Sequence, residues 1–194
     1  MGLMSKIEKV IVFTLRDIIC LWNMPLCTRF MSRWYKKKGM QIEGEPNYLA
    51  TTIWFDGSDY ARIQLGDGCT ISSNVNVVTH DWSPYTVGRG IGLEMEEPVG
   101  VHRQTRIGRC AFIGINSILL PGVEIGDGAI VGAGSVVRGT VPPWTIVVGN
   151  PATPAGDSRE YLLRQLKKQG LTKLFNKALC LLKEQGYEIP EDYR

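Results

Sequence analysis

The 194-residue sequence contains only two histidines, His80 and His102, and no apolar run long enough to cross a bilayer. Two histidines exclude a zinc centre with three imidazole ligands, and no metal is expected. The apolar stretch from Val10 to Leu15 meets Arg16 and Asp17 at once and carries no cleavage pattern, so it reads neither as a span nor as a secretory signal. An excess of one charge is also missing. Lys and Arg number 22 against 19 Asp and Glu, for a net +3, and no basic segment is interleaved with aromatics, which argues against nucleic acid as a partner. The five cysteines, Cys20, Cys27, Cys69, Cys110 and Cys180, are odd in number and form no CxxC pair, so reduced thiols in a cytoplasmic protein are expected. There is no GxSxG elbow, no P-loop and no GxGxxG after a strand, since "GRGIG" falls inside a loop.

Glycine, by contrast, is plentiful at 22 residues, and its placement is periodic. Counting by six from Ile107 gives Ile113, Leu119, Ile125, Val131 and Val137, all aliphatic, and the phase extends upstream through Leu65, Ile71 and Val77 and returns at Val101. A period of six belongs to neither helix nor hairpin. The third residue after the aliphatic is Gly68, Asn74, Asn116, Gly122, Gly128 or Gly134, residues that tolerate a left-handed backbone and so can turn a corner. Short strands between such corners would stack coil on coil, with the aliphatic ladder filling the inside of a prism. Cys69 falls on a small interior position and Cys110 on a corner, and packing suits both better than nucleophilic chemistry.

Helical periodicity brackets the repeat. Ile7, Ile11, Leu15, Ile18 and Trp22 recur at helical spacing and Pro25 is expected to end that helix, with a second from Leu26 to Lys38 stopped by Gly39. Lys36, Lys37 and Lys38 read first as a solvated helix C-terminus favoured by the dipole, with contact to an anionic substrate or an inner membrane surface as the sharper alternative. The opening "MGLMSK" has the glycine of a myristoylation signal but Lys6 where Ser or Thr is needed. Two further helices are expected after Asp157, with Ser158 as N-cap, closing the open end of the coil.

The block "IGRCAFIGINSILLPGVEIGDGAIVGAGSVVRGTVPPWTIVVGNPA", Ile107 to Ala152, with "IQLGDGCTISSNVNVVTHD" upstream, resembles the hexapeptide-repeat acyltransferases over about Gln41 to Ala152. The resemblance is strongest to the branch acetylating sugars, which includes the maltose and galactoside acetyltransferases and the O-acetyltransferases of surface polysaccharides. It implies an all-β core, a left-handed parallel β-helix with N-terminal and C-terminal helices, assembled as a homotrimer. The implied organisation is a helical segment 1–39, the β-helix 40–156 with a loop at 81–100, and C-terminal helices 157–194. Acetyl-CoA is the implied donor and a sugar-type hydroxyl the implied acceptor. An antibiotic acceptor, an amino-sugar N-acyltransferase and a non-catalytic scaffold are the alternatives.

The resemblance also places a histidine at the exit from the coil into the loop "THDWSPYTVGRGIGLEMEEP", and His80 stands there. Neutral imidazole suits removal of a hydroxyl proton near neutral pH. His102 reads as a surface residue. The acid partner of His80 is left open among Asp81, Glu94, Glu96 and Glu97; Trp82 and Tyr85 would either stack on a sugar or pack the loop, and Glu94 is, with them, a candidate acceptor contact. By position, Phe112, Ile115 and Ala133 match acetyl-CoA contacts. Arg138 and Gly139 replace the usual Thr and Lys, and Thr153 replaces a basic residue, which implicates Arg138, with Arg159 or Arg164, in holding a CoA phosphate.

Overall fold

The computed structural model describes residues 3–193 of the chain, so Gly2 of the myristoylation-like opening lies outside the described residues. Its centre is a prism of three parallel ladders built from strands of mostly two residues. The first ladder stacks Gln41–Ile42, Ile63–Leu65, Thr105–Ile107, Glu124–Ile125 and Thr140–Val141; the second, Tyr48–Leu49, Thr70–Ile71, Phe112–Ile113, Ile130–Val131 and Thr145–Gly149; the third, Trp54–Phe55, Asn76–Val77, Ile118–Leu119 and Val136–Val137. Register pairs each aliphatic with the next in its column, as in Ile113 with Ile71 and Val131. Leu65, Ile71, Val77, Ile107, Ile113, Leu119 and Val131 are completely buried. Each such side chain contributes about 1.5–3 kcal/mol on burial. The corners are where the sequence places them: Asn74 and Asn116 have φ of 57° and 59°, and Gly68, Gly122, Gly128 and Gly134 are likewise positive.

The hexad phase does not extend through the first coil. Its interior residues are Leu49 and Phe55, not the Ile53 and Asp59 that counting back from Val77 would give, because the short 3-10 turn Tyr60–Arg62 lies between the third and first ladders. Nor does the prism resume at Val101: Val101–His102 pairs antiparallel with His80–Asp81, and the coil restarts at Thr105.

Two helices close the N-terminal end, α1 (Leu3–Trp22) and α2 (Met24–Lys37). The break between them falls at Asn23, whose side chain accepts from Leu26 N at 2.9 Å, and Pro25 sits in the first turn of α2. Proline there loses no hydrogen bond, so it starts the second helix and does not end the first. Trp34 and Tyr35 of α2 pack edge-on against Phe13, Phe55 and Tyr60, plugging the prism with aromatic area. The tight turn also brings Cys20 and Cys27 to a Cα separation of 5.2 Å, and they are bonded as a disulfide. This corrects the expectation of five free thiols: two cysteines seven apart meet when a helix folds back on itself. Cys69, Cys110 and Cys180 are free.

The insertion after His80 is partly helical, with α3 spanning Ser83–Gly90. At the far end, Ala152–Asp157 runs antiparallel to Thr145–Gly149 and closes the second ladder. There α4 (Ser158–Lys168) and α5 (Thr172–Glu184) pack on each other through Leu163, Leu182 and Ile189. The N-cap of α4 is Asp157, not Ser158: Asp157 Oδ1 accepts from Arg159 N at 2.8 Å, while Ser158 Oγ, buried, donates to Gly128 O. Among the described residues no helix is long and apolar enough to cross a membrane.

Candidate active site

The pairing of Phe55 with Val77 sets Asp56 beside the chain just before it leaves the prism at His80. Asp56 is buried, and its carboxylate collects four donors' worth of contacts at one corner. Oδ2 accepts from Thr79 N at 3.2 Å and Thr79 Oγ1 at 2.6 Å, and Oδ1 accepts from Ser58 N at 3.1 Å. Oδ2 also meets Nδ1 of His80. Burial alone would favour the neutral acid, but the hydrogen bonds from Thr79, Ser58 and His80 outweigh it and hold the carboxyl well below the usual carboxylate range. The carboxylate is therefore charged and fixed. Its imidazole partner keeps about a quarter of its side chain exposed, so one ring edge is anchored and the other is reachable.

This geometry has a direct chemical reading. An Nδ1–H donated to Asp56 leaves the lone pair on Nε2, which faces away from the acid and can take a proton. Asp81, adjacent in sequence, is not the partner: its carboxylate accepts from Ser83 N at 2.8 Å and Ser83 Oγ at 2.9 Å, at the start of α3. Glu94, Glu96 and Glu97 lie exposed on the return of the loop. The acid that meets His80 comes from one coil earlier, at a position where the repeat pattern is broken.

The antiparallel pair His80 and His102 puts the two rings 6.2 Å apart, and Trp82 stands edge-on to His102 at 5.3 Å and 6.1 Å from His80. His102, read from sequence as a surface residue, is exposed and faces the same mouth. Tyr85 is half-buried on α3.

The residues matched to the donor lie on two edges of the prism. Arg138 follows Val137, whose ladder partners run through Leu119 to Val77, so Arg138 and Gly139 occupy the edge of His80, two coils further on. Ile115 and Ala133 sit on the next edge, where Gly134 N donates to Ile115 O at 2.8 Å. Phe112 faces outward from the second ladder into an open, largely apolar cavity of about 650 Å³, lined also by Trp144, Tyr161, Leu162 and Arg164. Of these residues only Arg138 and Gly139 stand on the edge of His80; Ile115 and Ala133 are on the next edge and Phe112 on the second ladder. Arg159 is committed elsewhere: its guanidinium binds Asp157 through Nε and Nη2 and lies 3.9 Å above the Tyr187 ring. Among the described residues no three His, Cys, Asp or Glu side chains gather as a metal-holding group.

Comparison with known proteins places this architecture. The family described as bacterial transferase hexapeptide (six repeats) matches residues 104–139. Protein CapG of Staphylococcus aureus is 38% identical over 141 residues, which cover 73% of this chain and 79% of that protein. A chloramphenicol acetyltransferase of Morganella morganii is 30% identical over 112 residues, 50% of this chain and 52% of that protein. Against several of these curated relatives the match thus spans only about half their length, 47% in one further case. A solved galactoside acetyltransferase in complex with coenzyme A superposes with a TM-score of 0.51 at 19% identity, covering 78% of this chain and 81% of that one. At that identity the likeness speaks for the fold, a parallel β-helix wound left-handed. On its stacked hexads, and on its similarity to CapG across most of both chains, this chain belongs to the bacterial hexapeptide-repeat transferase family.

Proposed function

We propose that the chain is an acetyl-CoA-dependent O-acetyltransferase acting on a sugar hydroxyl, with His80 as general base and Asp56 as the group that orients it. The observation that carries this reading is the His80–Asp56 pair, the acid buried and the imidazole about a quarter exposed, where the coil gives way to the insertion. In the reaction, Nε2 of His80 takes the acceptor's hydroxyl proton as the oxygen attacks the thioester carbonyl. The tetrahedral intermediate collapses with cleavage of the C–S bond, and the proton passes to the departing thiolate, giving the acetyl ester and free CoA thiol. Asp56 stays ionised throughout and stabilises the imidazolium that forms between the two transfers.

Donor recognition rests on two edges, which argues for a site shared between copies. Arg138 lies on the edge of His80, whereas Ile115 and Ala133 lie on the next, so a donor touching both needs the facing edges of two subunits. A homotrimer supplies such a pairing. Most outward residues of the second and third ladders are apolar, Tyr48, Phe112, Ile130, Ile146, Trp54, Ile118 and Val136, with Thr70 and Asn76 polar among them, and suit burial between subunits; those of the first, Gln41, Gln64, Arg106, Glu124 and Thr140, suit water. A cytoplasmic location, where acetyl-CoA is available, completes the proposal.

The acceptor class is tested by incubating the purified chain with acetyl-CoA and a panel of nucleotide sugars, oligosaccharides and aromatic antibiotics, following free thiol. Thiol release with a saccharide, and a mass gain of one acetyl group on it, is expected. The similarity to a chloramphenicol acetyltransferase makes an antibiotic the second acceptor class, and turnover confined to that arm replaces the sugar reading. No thiol release with any arm refutes the acetyltransferase.

A further inference from the structure

The exposed face of α1 has no partner among the described residues. Taking 100° per residue, Ile7, Val10, Ile11, Leu15, Ile18, Leu21 and Trp22 fall within one arc of about 140°. All seven are exposed, from 44% for Leu15 to 88% for Trp22. Ordinary globular surface scatters such residues singly; here they form a continuous stripe over four turns. No charged residue of 7–22 lies inside the arc. The acids at its margins are neutralised by neighbours: Glu8 accepts from Trp34 Nε1 and from Lys38 Nζ, and Asp17 is bound by Arg16.

The adjacent helix supplies the second observation. On α2 the outward residues are Leu26, Arg29, Arg33, Lys36 and Lys37, a ridge at helical spacing with four cations and no acid. Arg29 reaches Glu45 and Lys36 reaches Gly44 O, both at 3.2 Å on the rim, while Arg33 and Lys37 have no ion pair among the described residues. An apolar stripe beside a cationic ridge is complementary to one kind of surface: apolar depth under a layer of negative charge. Facing a second copy of the same ridge, the four cations would repel.

We propose that α1 and α2 dock this protein on an anionic membrane surface. The stripe of α1 lies in the plane of the interface, between headgroups and acyl chains, and Arg29, Arg33, Lys36 and Lys37 face the lipid phosphates. The helix lies on the bilayer and does not cross it. Trp22, at the C-terminal end of the stripe, sits at headgroup depth, where its amphipathic ring is favoured. This goes beyond the transferase reading and does not depend on it. It puts the catalytic corner at a fixed height above a membrane, where an acceptor carried on a lipid would be presented.

Flotation of the full chain with vesicles of pure phosphatidylcholine, and with vesicles containing 30% phosphatidylserine on the order of a plasma-membrane inner leaflet, tests it. Binding to the anionic vesicles is expected, with a shift of Trp22 emission to shorter wavelength. Each cation near the surface is worth about a fivefold change in affinity, so Arg33→Ala/Lys37→Ala lowers it by about thirtyfold, and raising the salt lowers it further. Ile11→Glu/Ile18→Glu abolishes it. Both positions are exposed, so a circular dichroism melt unchanged from wild type shows that the fold is kept. Failure of the folded wild type to float with anionic vesicles overturns the proposal, as does undiminished binding of Ile11→Glu/Ile18→Glu. Concentration-dependent self-association that the same double substitution dissolves, without vesicle binding, assigns the face to a second copy instead. Thiol release in solution is a separate readout: its loss with intact flotation defeats the transferase and not the docking surface.

Discussion

Replacing Asp56 by Asn is the most informative single change, because it keeps the shape of the His80 corner and removes one property. The carboxylate accepts from two sides at once, Thr79 and His80 on Oδ2 and Ser58 on Oδ1. An amide accepts through one oxygen only. If that oxygen keeps Ser58, the NH2 group turns toward Thr79 N and His80 Nδ1, where two donors then meet. A buried donor left unpaired costs about 1–3 kcal/mol, so stability falls by about 2 kcal/mol. The imidazole escapes the clash by accepting at Nδ1 and carrying its proton on Nε2, which silences the base. General-base catalysis contributes about two to four orders of magnitude, and kcat of Asp56→Asn falls by about two to three, with the KM for acetyl-CoA unchanged. The assay is thiol release at saturating donor, with a urea melt beside it. Retention of more than a third of wild-type kcat in a folded Asp56→Asn refutes the orienting role.

The same substitution alters acid stability with a defined sign. The carboxyl of Asp56 is held below its ordinary range, so its contribution is complete above the unfolded pKa near 3.8 and is lost as pH falls through the lower folded value. Wild type therefore loses stability below about pH 4 with a proton-uptake slope that Asp56→Asn lacks, measured as Tm against pH. His80→Ala is expected to keep the fold and lower kcat by roughly two to four orders of magnitude, checked by the same assay. Arg138→Ala raises the KM for acetyl-CoA more than that for the acceptor, and more than for an analogue lacking the 3′-phosphate; equal donor affinity by calorimetry at low salt leaves Arg138 as a solvated corner residue. Gly114→Ala puts a Cβ 2.6 Å from Ala133 N and costs several kcal/mol of packing, whereas Gly134→Ala meets nothing within 4 Å and costs only the left-handed backbone, φ +67°, about 1 kcal/mol. Thermal melts separate the two.

The coils were legible in the sequence because they repeat a local requirement: an inward aliphatic, then a corner that Asn or Gly can turn, as at Ile71 and Asn74. His80 was legible because it stands where that requirement lapses. Asp56 was not. It is 24 residues upstream, in the first coil, where the 3-10 turn at Tyr60–Arg62 breaks the phase, and only the ladder pairing of Phe55 with Val77 makes the two neighbours. The one signal available was an acid directly after a bulky inward residue, at a place where water is excluded. Cys20 and Cys27 were misread for a related reason. A spacing of seven is silent about a helix break, and the break was assigned to Pro25 when Asn23 makes it.

The insertion between His80 and Thr105 bears on how such a chain folds and diversifies. Along the coils after the insertion a strand pairs with another 16 or 18 residues on, as Phe112 does with Ile130 and Ile130 with Ile146. Across the insertion that separation grows to 42, from Ile71 to Ile113. Closing the longer loop adds only about 0.7 kcal/mol of entropy, since the cost rises with the logarithm of length. The insertion can therefore be lengthened, shortened or rewritten at almost no thermodynamic cost to the prism, while the corner that holds Asp56 and His80 stays where the ladders put it.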